Sequence, residues 1–284
     1  MVLINEGNLF ITKTSKEEIK KIDFATCNEP SQTLDEYYDS LEEKPRIMIN
    51  GGLFNMNLGK PVMDYIDEGE TKSYEAWIKL GIGIVGDSDI LYGSVDERNW
   101  RDFISGYPVL IANGEKQEIK IANEISYRTR RTVLGYNNSF VFTIGSDYPG
   151  QTFDEIKEIA FELGCEYAIN LDGGTSTGLI CNGSRYLRAY YNRPLDNVVC
   201  IYTGKKVIYR VQIGAFRYKE NAEIYKNIIK GLNDTIGAGY KNAYVRMVDG
   251  LYKVQVGAFS YKENAENVLK DLRKKGFNPF ITTK

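Results

Sequence analysis

The chain has 284 residues, 43% of them hydrophobic, which is enough for real cores on the scale of one to two domains of about 150 residues each. Its net charge of −2 hides an asymmetry, because residues 205–284 hold 16 Lys+Arg against 7 Asp+Glu, while residues 1–204 hold 20 against 31. There is no His at all, which excludes Ser-His and Cys-His nucleophile pairs, the usual general base and most zinc sites.

Acid–base chemistry must therefore fall to carboxylates, Tyr or Lys. The four cysteines, Cys27, Cys165, Cys181 and Cys200, form no CxxC pair and sit in or beside apolar stretches. They read as small buried residues and not as a disulfide frame. The basic C-terminal part points to an anionic partner: nucleic acid, a membrane surface or a cell-wall polymer. Residues Met1–Gly7 show no basic n-region and no long apolar h-region. The expectation is a protein synthesised in the cytoplasm without a signal peptide or transmembrane segment. Action on an outer structure would then need a separate release.

In chain order, residues 1–28 read as two or three strands turning at Lys16–Glu18. Thr33 to Leu41 reads as a helix capped by Thr33, with Glu36 as its capping-box partner. Arg46 to Asn50 is a buried strand running straight into Gly51-Gly52. Trp77 to Val85, Ile90 to Val95 and Gly106 to Gly114 give further strands and a turn. Arg128, Arg130 and Arg131 stand just before an apolar strand, so one of them is placed to point inward. Phe140 to Ile144 is a strand, and Thr152 to Leu163 an amphipathic helix stopped by Gly164.

Glu166 to Cys181 is the stretch around which the chain is organised. An apolar run ends at Asp172-Gly173-Gly174, three hydroxyl residues follow, Thr175 to Thr177, and an apolar run resumes at Leu179. This reads as strand, Gly-Gly loop, strand, with a carboxylate where a ligand can approach bare backbone. An ordinary hairpin turn is the alternative, since Asp-Gly is a common hairpin signal. A last strand, Asn197 to Tyr202, follows Arg193-Pro194. Many short strands with two long helices give an α+β, mixed-sheet body over residues 1–204.

The tail holds an internal repeat. Tyr209 to Glu223 recurs as Tyr252 to Glu266 at an offset of 43 residues, each copy carrying Val-Gln-x-Gly-Ala-Phe and Lys-Glu-Asn-Ala. Each half reads as strand, helix, strand, with the closing strands at Ala243–Met247 and Phe280–Thr282. Together they make a ferredoxin-like βαββαβ module over residues 207–284.

On those two copies the tail resembles the SPOR domain. The resemblance implies binding to peptidoglycan glycan strands through Gln212, Phe216, Gln255, Phe259 and Tyr261, with no part for nucleic acid or membrane insertion. Phe216 and Phe259 read equally as core anchors of the repeat. The body resembles the phosphodiester glycosidase family. The segments that carry this are Ile49 to Phe54, Arg131 to Gly135, Asn170 to Gly174, and Arg193-Pro194 with Asn197. Thr175 stands where the family signature has a third Gly, and Leu53 where its turn has a first Phe, and both alter the pocket's shape.

The site expected from these residues has Asp172, Arg131, Asn50 and Arg193 as its catalytic set. The arginines present planar forks to a phosphate or carboxylate. Gly51, Gly52, Gly173 and Gly174 offer backbone N–H groups, and Thr175 and Ser176 line the approach. Asp172 is the general acid/base or nucleophile. Its oxygens, next to hydroxyls, could also ligate Ca²⁺ or Mg²⁺. Glycoside hydrolysis usually needs a second carboxylate, and Asp64, Asp147 and Asp196 are all available. Three functions compete. The first is a cell-wall glycosidase of the phage-lysin or autolysin kind, cutting peptidoglycan or an attached wall polymer. The second is a phosphodiester glycosidase on small GlcNAc-1-phosphodiesters or teichoic-acid-like linkages. The third is a non-catalytic wall-binding protein.

Overall fold

The structure is a computed structural model that describes residues 1–27, 32–55, 60–74, 79–119, 127–204, 208–232, 240–259 and 262–283. Trp77 and Tyr261 lie outside the described residues. Two compact units divide the chain, Met1–Lys205 and Lys206–Lys284. No helix among the described residues is long and apolar enough to cross a membrane.

The first unit is built from three large sheets and a two-stranded one, Phe54–Asn55 with Lys60–Pro61, whose pairings are all antiparallel among the described residues. The α+β class holds, and no sheet mixes strand directions. One sheet has seven strands, with Thr132–Tyr136 and Tyr167–Asn170 side by side near its centre. A second has five, with Ile47–Asn50 flanked by Leu179–Cys181 and Asn197–Thr203. The third runs from Asp89–Ser94 to Glu70–Ser73.

Side-chain alternation explains why the central strands read as unbroken apolar runs. Ile47 and Ile49 enter a core shared by all three sheets, while Met48 on the opposite face packs near the helix Leu34–Ser40. Leu134 and Ile169 face the shared core, whereas Val133 and Ala168 face the helix Phe153–Glu162. Both helices begin with a complete capping box, Thr33 with Glu36 and Thr152 with Glu155. Gly164 follows the second helix at φ +75°, a left-handed position that a Cβ would strain. All four cysteines are buried and free.

The Gly-Gly loop after Asn170 does not close a hairpin. Tyr167–Asn170 belongs to the seven-stranded sheet and Leu179–Cys181 to the five-stranded one. The loop crosses between two sheets, so Asp172 sits where both open.

The second unit is a four-stranded antiparallel sheet in the order Tyr244–Val248, Leu251–Phe259, Tyr209–Phe216, Phe280–Thr282, with helices Lys219–Lys230 and Lys262–Lys274. This is the ferredoxin-like order. The repeat pairs with itself: Gln212 faces Gln255 across the two central strands. Gly257 is at φ +66°, and a Cβ there would stand 2.1 Å from the Phe259 ring. Gly214 is likewise roofed by Phe216, and Phe216 packs on Tyr225 at 5.3 Å. Each Phe thus folds back over the glycine two residues before it, which gives the Gly-Ala-Phe spacing its reason.

Candidate active site

A cavity of about 410 Å³ opens at the sheet junction. Asp172, Gly173, Gly174 and Thr175 form one wall, Asn170 and Tyr107 another, and Arg131, Arg193 and Leu53 close the rest. Asp172 is the one carboxylate among the described lining residues.

The backbone of Asp172 is fixed from both sides. Its N–H donates to the Gly51 carbonyl at 3.0 Å, and its own carbonyl accepts from Asn50 Nδ2 at 2.8 Å. One carboxylate oxygen accepts the Gly173 N–H at 2.8 Å. Burial pushes the carboxyl above the ordinary aspartate range. The nearby Ser176 hydroxyl, the Gly173 N–H and the charge of Arg193 work in the opposite sense.

Asn50 is expected as a catalytic residue, and the structure places it beneath the loop instead of in the cavity. It is buried, its Oδ1 accepts from Thr132 Oγ1 at 2.8 Å and from the Gly178 N–H at 3.0 Å, and its Nδ2 holds Asp172. With both ends of its amide engaged, Asn50 is a positioning residue. Asn50→Ala should therefore lower stability as well as activity, by about 1–3 kcal/mol for the buried groups left unpaired. Denaturant unfolding monitored beside turnover checks this; a fully stable, inactive variant would contradict it.

The expectation that the glycines offer N–H groups to a ligand is corrected. Gly51 N–H donates to the Asn197 carbonyl at 2.9 Å, and Gly52 N–H to Asn197 Oδ1 at 2.7 Å. Gly173 N–H is held by the Asp172 carboxylate and Gly174 N–H by the Arg130 carbonyl. Three of the four donors tie distant segments together, and the Gly173 N–H is taken up within its own loop. What makes glycine necessary is close approach: a Cβ on Gly51 would lie 1.8 Å from Asn197 Oδ1, and one on Gly173 would lie 2.7 Å from the Arg130 carbonyl oxygen.

Two arginines turn inward where one was expected. Arg130 is structural. It pairs with Asp147 at 3.1 Å, donates to the Arg188 carbonyl at 3.0 Å, and lies 4.5 Å from the Tyr190 ring centroid. Arg131 lines the cavity, with its guanidinium 3.6 Å from the Phe153 ring centroid. It donates to the carbonyls of Tyr127 at 2.7 Å and Gln151 at 3.3 Å. Desolvation pulls it down to about 10, so it stays cationic at neutral pH. Arg193 donates to the Thr175 hydroxyl and stacks near Phe54 at 5.4 Å.

Two polar atoms lining this region are buried and lack a hydrogen-bond partner among the described residues: Asn170 Oδ1 and Arg193 Nε. Asn170 donates through Nδ2 to the Tyr107 and Leu171 carbonyls, at 2.9 and 2.7 Å, leaving its acceptor over. An unsatisfied acceptor and an unsatisfied cationic donor beside one carboxylate suit a ligand carrying hydroxyl or amide N–H groups and an anion. The site-residue reading missed Asn170 and Asn197, although both sit in motif segments. Nothing in the sequence marked Tyr107.

None of Asp64, Asp147 and Asp196 lines the cavity. Asp64 is fully buried with its carbonyl on Ser105, Asp147 pairs with Arg130, and Asp196 accepts from Asn197 Nδ2 at 2.8 Å. Among the described residues no three acidic or cysteine side chains cluster to hold a metal. A single carboxylate with neutral hydroxyls is a poor donor set for Ca²⁺ or Mg²⁺.

In the second unit, Gln212 and Gln255 are buried and bonded to each other at 3.4 Å, and Tyr244 Oη donates to Gln255 at 3.1 Å. A strand pair fixed in this way holds register and does not present these amides at a surface. Phe216 and Phe259 serve as the anchors described above.

The sequence pattern of the phosphodiester glycosidase family matches residues 43–202, and that of the SPOR domain matches residues 205–283. Comparison with curated proteins finds no match. Among solved structures, the chain is similar to the catalytic domain of zebrafish N-acetylglucosamine-1-phosphodiester alpha-N-acetylglucosaminidase, auto-inhibited by its pro-peptide. Identity is 18% and the TM-score 0.55, over 70% of this chain and 85% of that one. The peptidoglycan-binding domain of the B. subtilis cell wall lytic enzyme CwlC also matches, at 36% identity and TM-score 0.23, over 28% of this chain and 92% of that domain. The chain therefore belongs to the phosphodiester glycosidase family, and joins that glycosidase domain to a SPOR domain, which implies peptidoglycan binding.

Proposed function

We propose that this protein is a wall-directed hydrolase that cleaves a sugar–phosphodiester bond in peptidoglycan or an attached wall polymer. The observation that carries this is that Asp172, the one carboxylate among the described lining residues, shares its cavity with two arginines, Arg131 and Arg193. A plain glycoside leaves as a poor alkoxide and needs an acid to protonate it, hence the usual carboxylate pair. A phosphodiester leaves as a stable phosphate anion and needs little protonation. Arg131 and Arg193 would neutralise the phosphate, and Asp172 would attack the anomeric carbon or take a proton from water. Asn170 Oδ1 would accept from a sugar hydroxyl or acetamido N–H. The SPOR domain would hold the enzyme on its insoluble substrate and raise its local concentration.

The purified chain should release reducing sugar from cell walls and hydrolyse a GlcNAc-1-phosphodiester. Wall cleavage with clearing of a wall suspension would extend the reading to a phage lysin or autolysin. Turnover of the small diester alone would restrict it to small phosphodiesters, the second function read from the sequence. Wall binding without turnover of either substrate would overturn catalysis and leave a binding protein.

A further inference from the structure

Exposed tyrosines gather at and beside the cavity, and the reaction proposed above gives them no part. Tyr127 and Tyr148 line the cavity and are 62% and 56% exposed. The Tyr148 ring lies 5.5 Å from that of Tyr190, tilted by 36°, and the Tyr190 ring lies 6.3 Å from that of Tyr191, tilted by 50°. Single exposed aromatics are ordinary. A connected series that starts in a polar cavity and ends in a ring 96% exposed is not.

Two further features show a built surface. Tyr191 is held at φ 58°, ψ 31°, a left-handed conformation that costs a tyrosine energy and that no packing of its own ring repays. The base is rigid, because the buried guanidinium of Arg130 lies against Tyr190 and pairs with Asp147, the residue before Tyr148. The turn Tyr190–Asn192 runs directly into Arg193, and the Arg193 N–H bonds the Tyr190 carbonyl at 3.1 Å. The rings and the cavity are thus fixed to each other.

We propose that Tyr148, Tyr190 and Tyr191 form a stacking platform for the pyranose rings of a glycan chain, next to the residue whose bond is cleaved. The axial C–H faces of pyranoses are electropositive and pack on the electron-rich faces of tyrosines, while sugar hydroxyls and phenol hydroxyls stay in water. Successive rings at these spacings suit successive sugars. The substrate is then an extended saccharide, of which a small diester reproduces only the cleaved bond. The inference rests on the reading of the cavity as a saccharide site and deepens it.

The test uses the full chain with ¹³C-labelled tyrosine rings, the three signals being identified from single Tyr→Phe variants. The probes are the β-1,4-linked GlcNAc tetramer and GlcNAc alone. The tetramer should shift the signals of Tyr148, Tyr190 and Tyr191 saturably, and GlcNAc should not. Tyr191→Ala, at an exposed position, should weaken tetramer binding at the remaining two rings by about tenfold. It should leave GlcNAc-1-phosphodiester turnover within about twofold. If the three signals stay unmoved at high tetramer concentration, the platform does not exist. Ring shifts without turnover of any substrate would keep the platform and sink the catalytic reading. Turnover of the small diester without ring shifts would do the reverse.

Discussion

Asp172→Asn is expected to lower turnover by about 10²-fold or more, the scale for losing a positioned acid, base or nucleophile, and to leave the melting temperature unchanged or raised. The substitution keeps the Gly173 N–H bond, which Asn Oδ1 can accept, and all the backbone bonds that fix the loop. Only the charge is lost. Burial holds the wild-type carboxyl above its ordinary range, so the folded state binds its proton more readily than the unfolded state does. The associated stability is complete below the unfolded value and is lost as pH rises through the raised folded value. Above the raised value the wild type carries a disfavoured buried charge that the Asn variant lacks. The stability difference should therefore favour Asp172→Asn increasingly as pH rises through that value and vanish in acid. Activity runs in the opposite direction. A base or nucleophile must be ionised, so wild-type kcat/KM should fall on the acid side at a pH above that of a free aspartate. Thermal unfolding and pH–rate profiles of both proteins decide the matter. Full turnover with a lowered melting temperature would remove Asp172 from the chemistry.

The features legible in the sequence are those coded by neighbours. Thr33 with Glu36 announced a helix start because both partners lie within one turn. The 43-residue repeat announced the second unit's topology, because each copy carries its own strand, turn and helix. Asp172 stood out because a carboxylate ended an apolar run beside two glycines. What could not be read is what depends on contacts far apart in sequence. The Gly51 and Gly52 N–H groups look available until Asn197, some 145 residues on, takes them. The Asp-Gly-Gly turn resembles a hairpin until its flanking strands enter different sheets. Gln212 and Gln255 look like surface amides because Gln usually is one, and only the cross-strand register buries them against each other. The exposed tyrosines left no signal, since isolated aromatics in a loop have no period.

Arg193 separates the anion-binding reading from a merely structural one. Its Nη1 is bonded to Thr175, its Nε is buried without a partner among the described residues, and its charge favours the ionised form of Asp172. The fork can thus hold the loop with one edge and meet a phosphate oxygen with the other. Lys carries charge but a single point of contact, so Arg193→Lys must give up one of these two tasks. It is expected to lose about 10²-fold in kcat/KM on a sugar phosphodiester, the scale for removing one preorganised donor from a developing anion. Arg193→Gln goes further by removing the charge beside Asp172. The carboxyl should then rise further, and the acid limb of the pH–rate profile should move to higher pH, while in Arg193→Lys it stays close to wild type. Because Arg193 is only half-buried, both variants should unfold near the wild-type temperature. A structural role predicts a different set of results: lowered melting temperatures, and an acid limb that does not move in Arg193→Gln. Wild-type kcat/KM in Arg193→Lys would show that no anionic group of the substrate rests on this side chain.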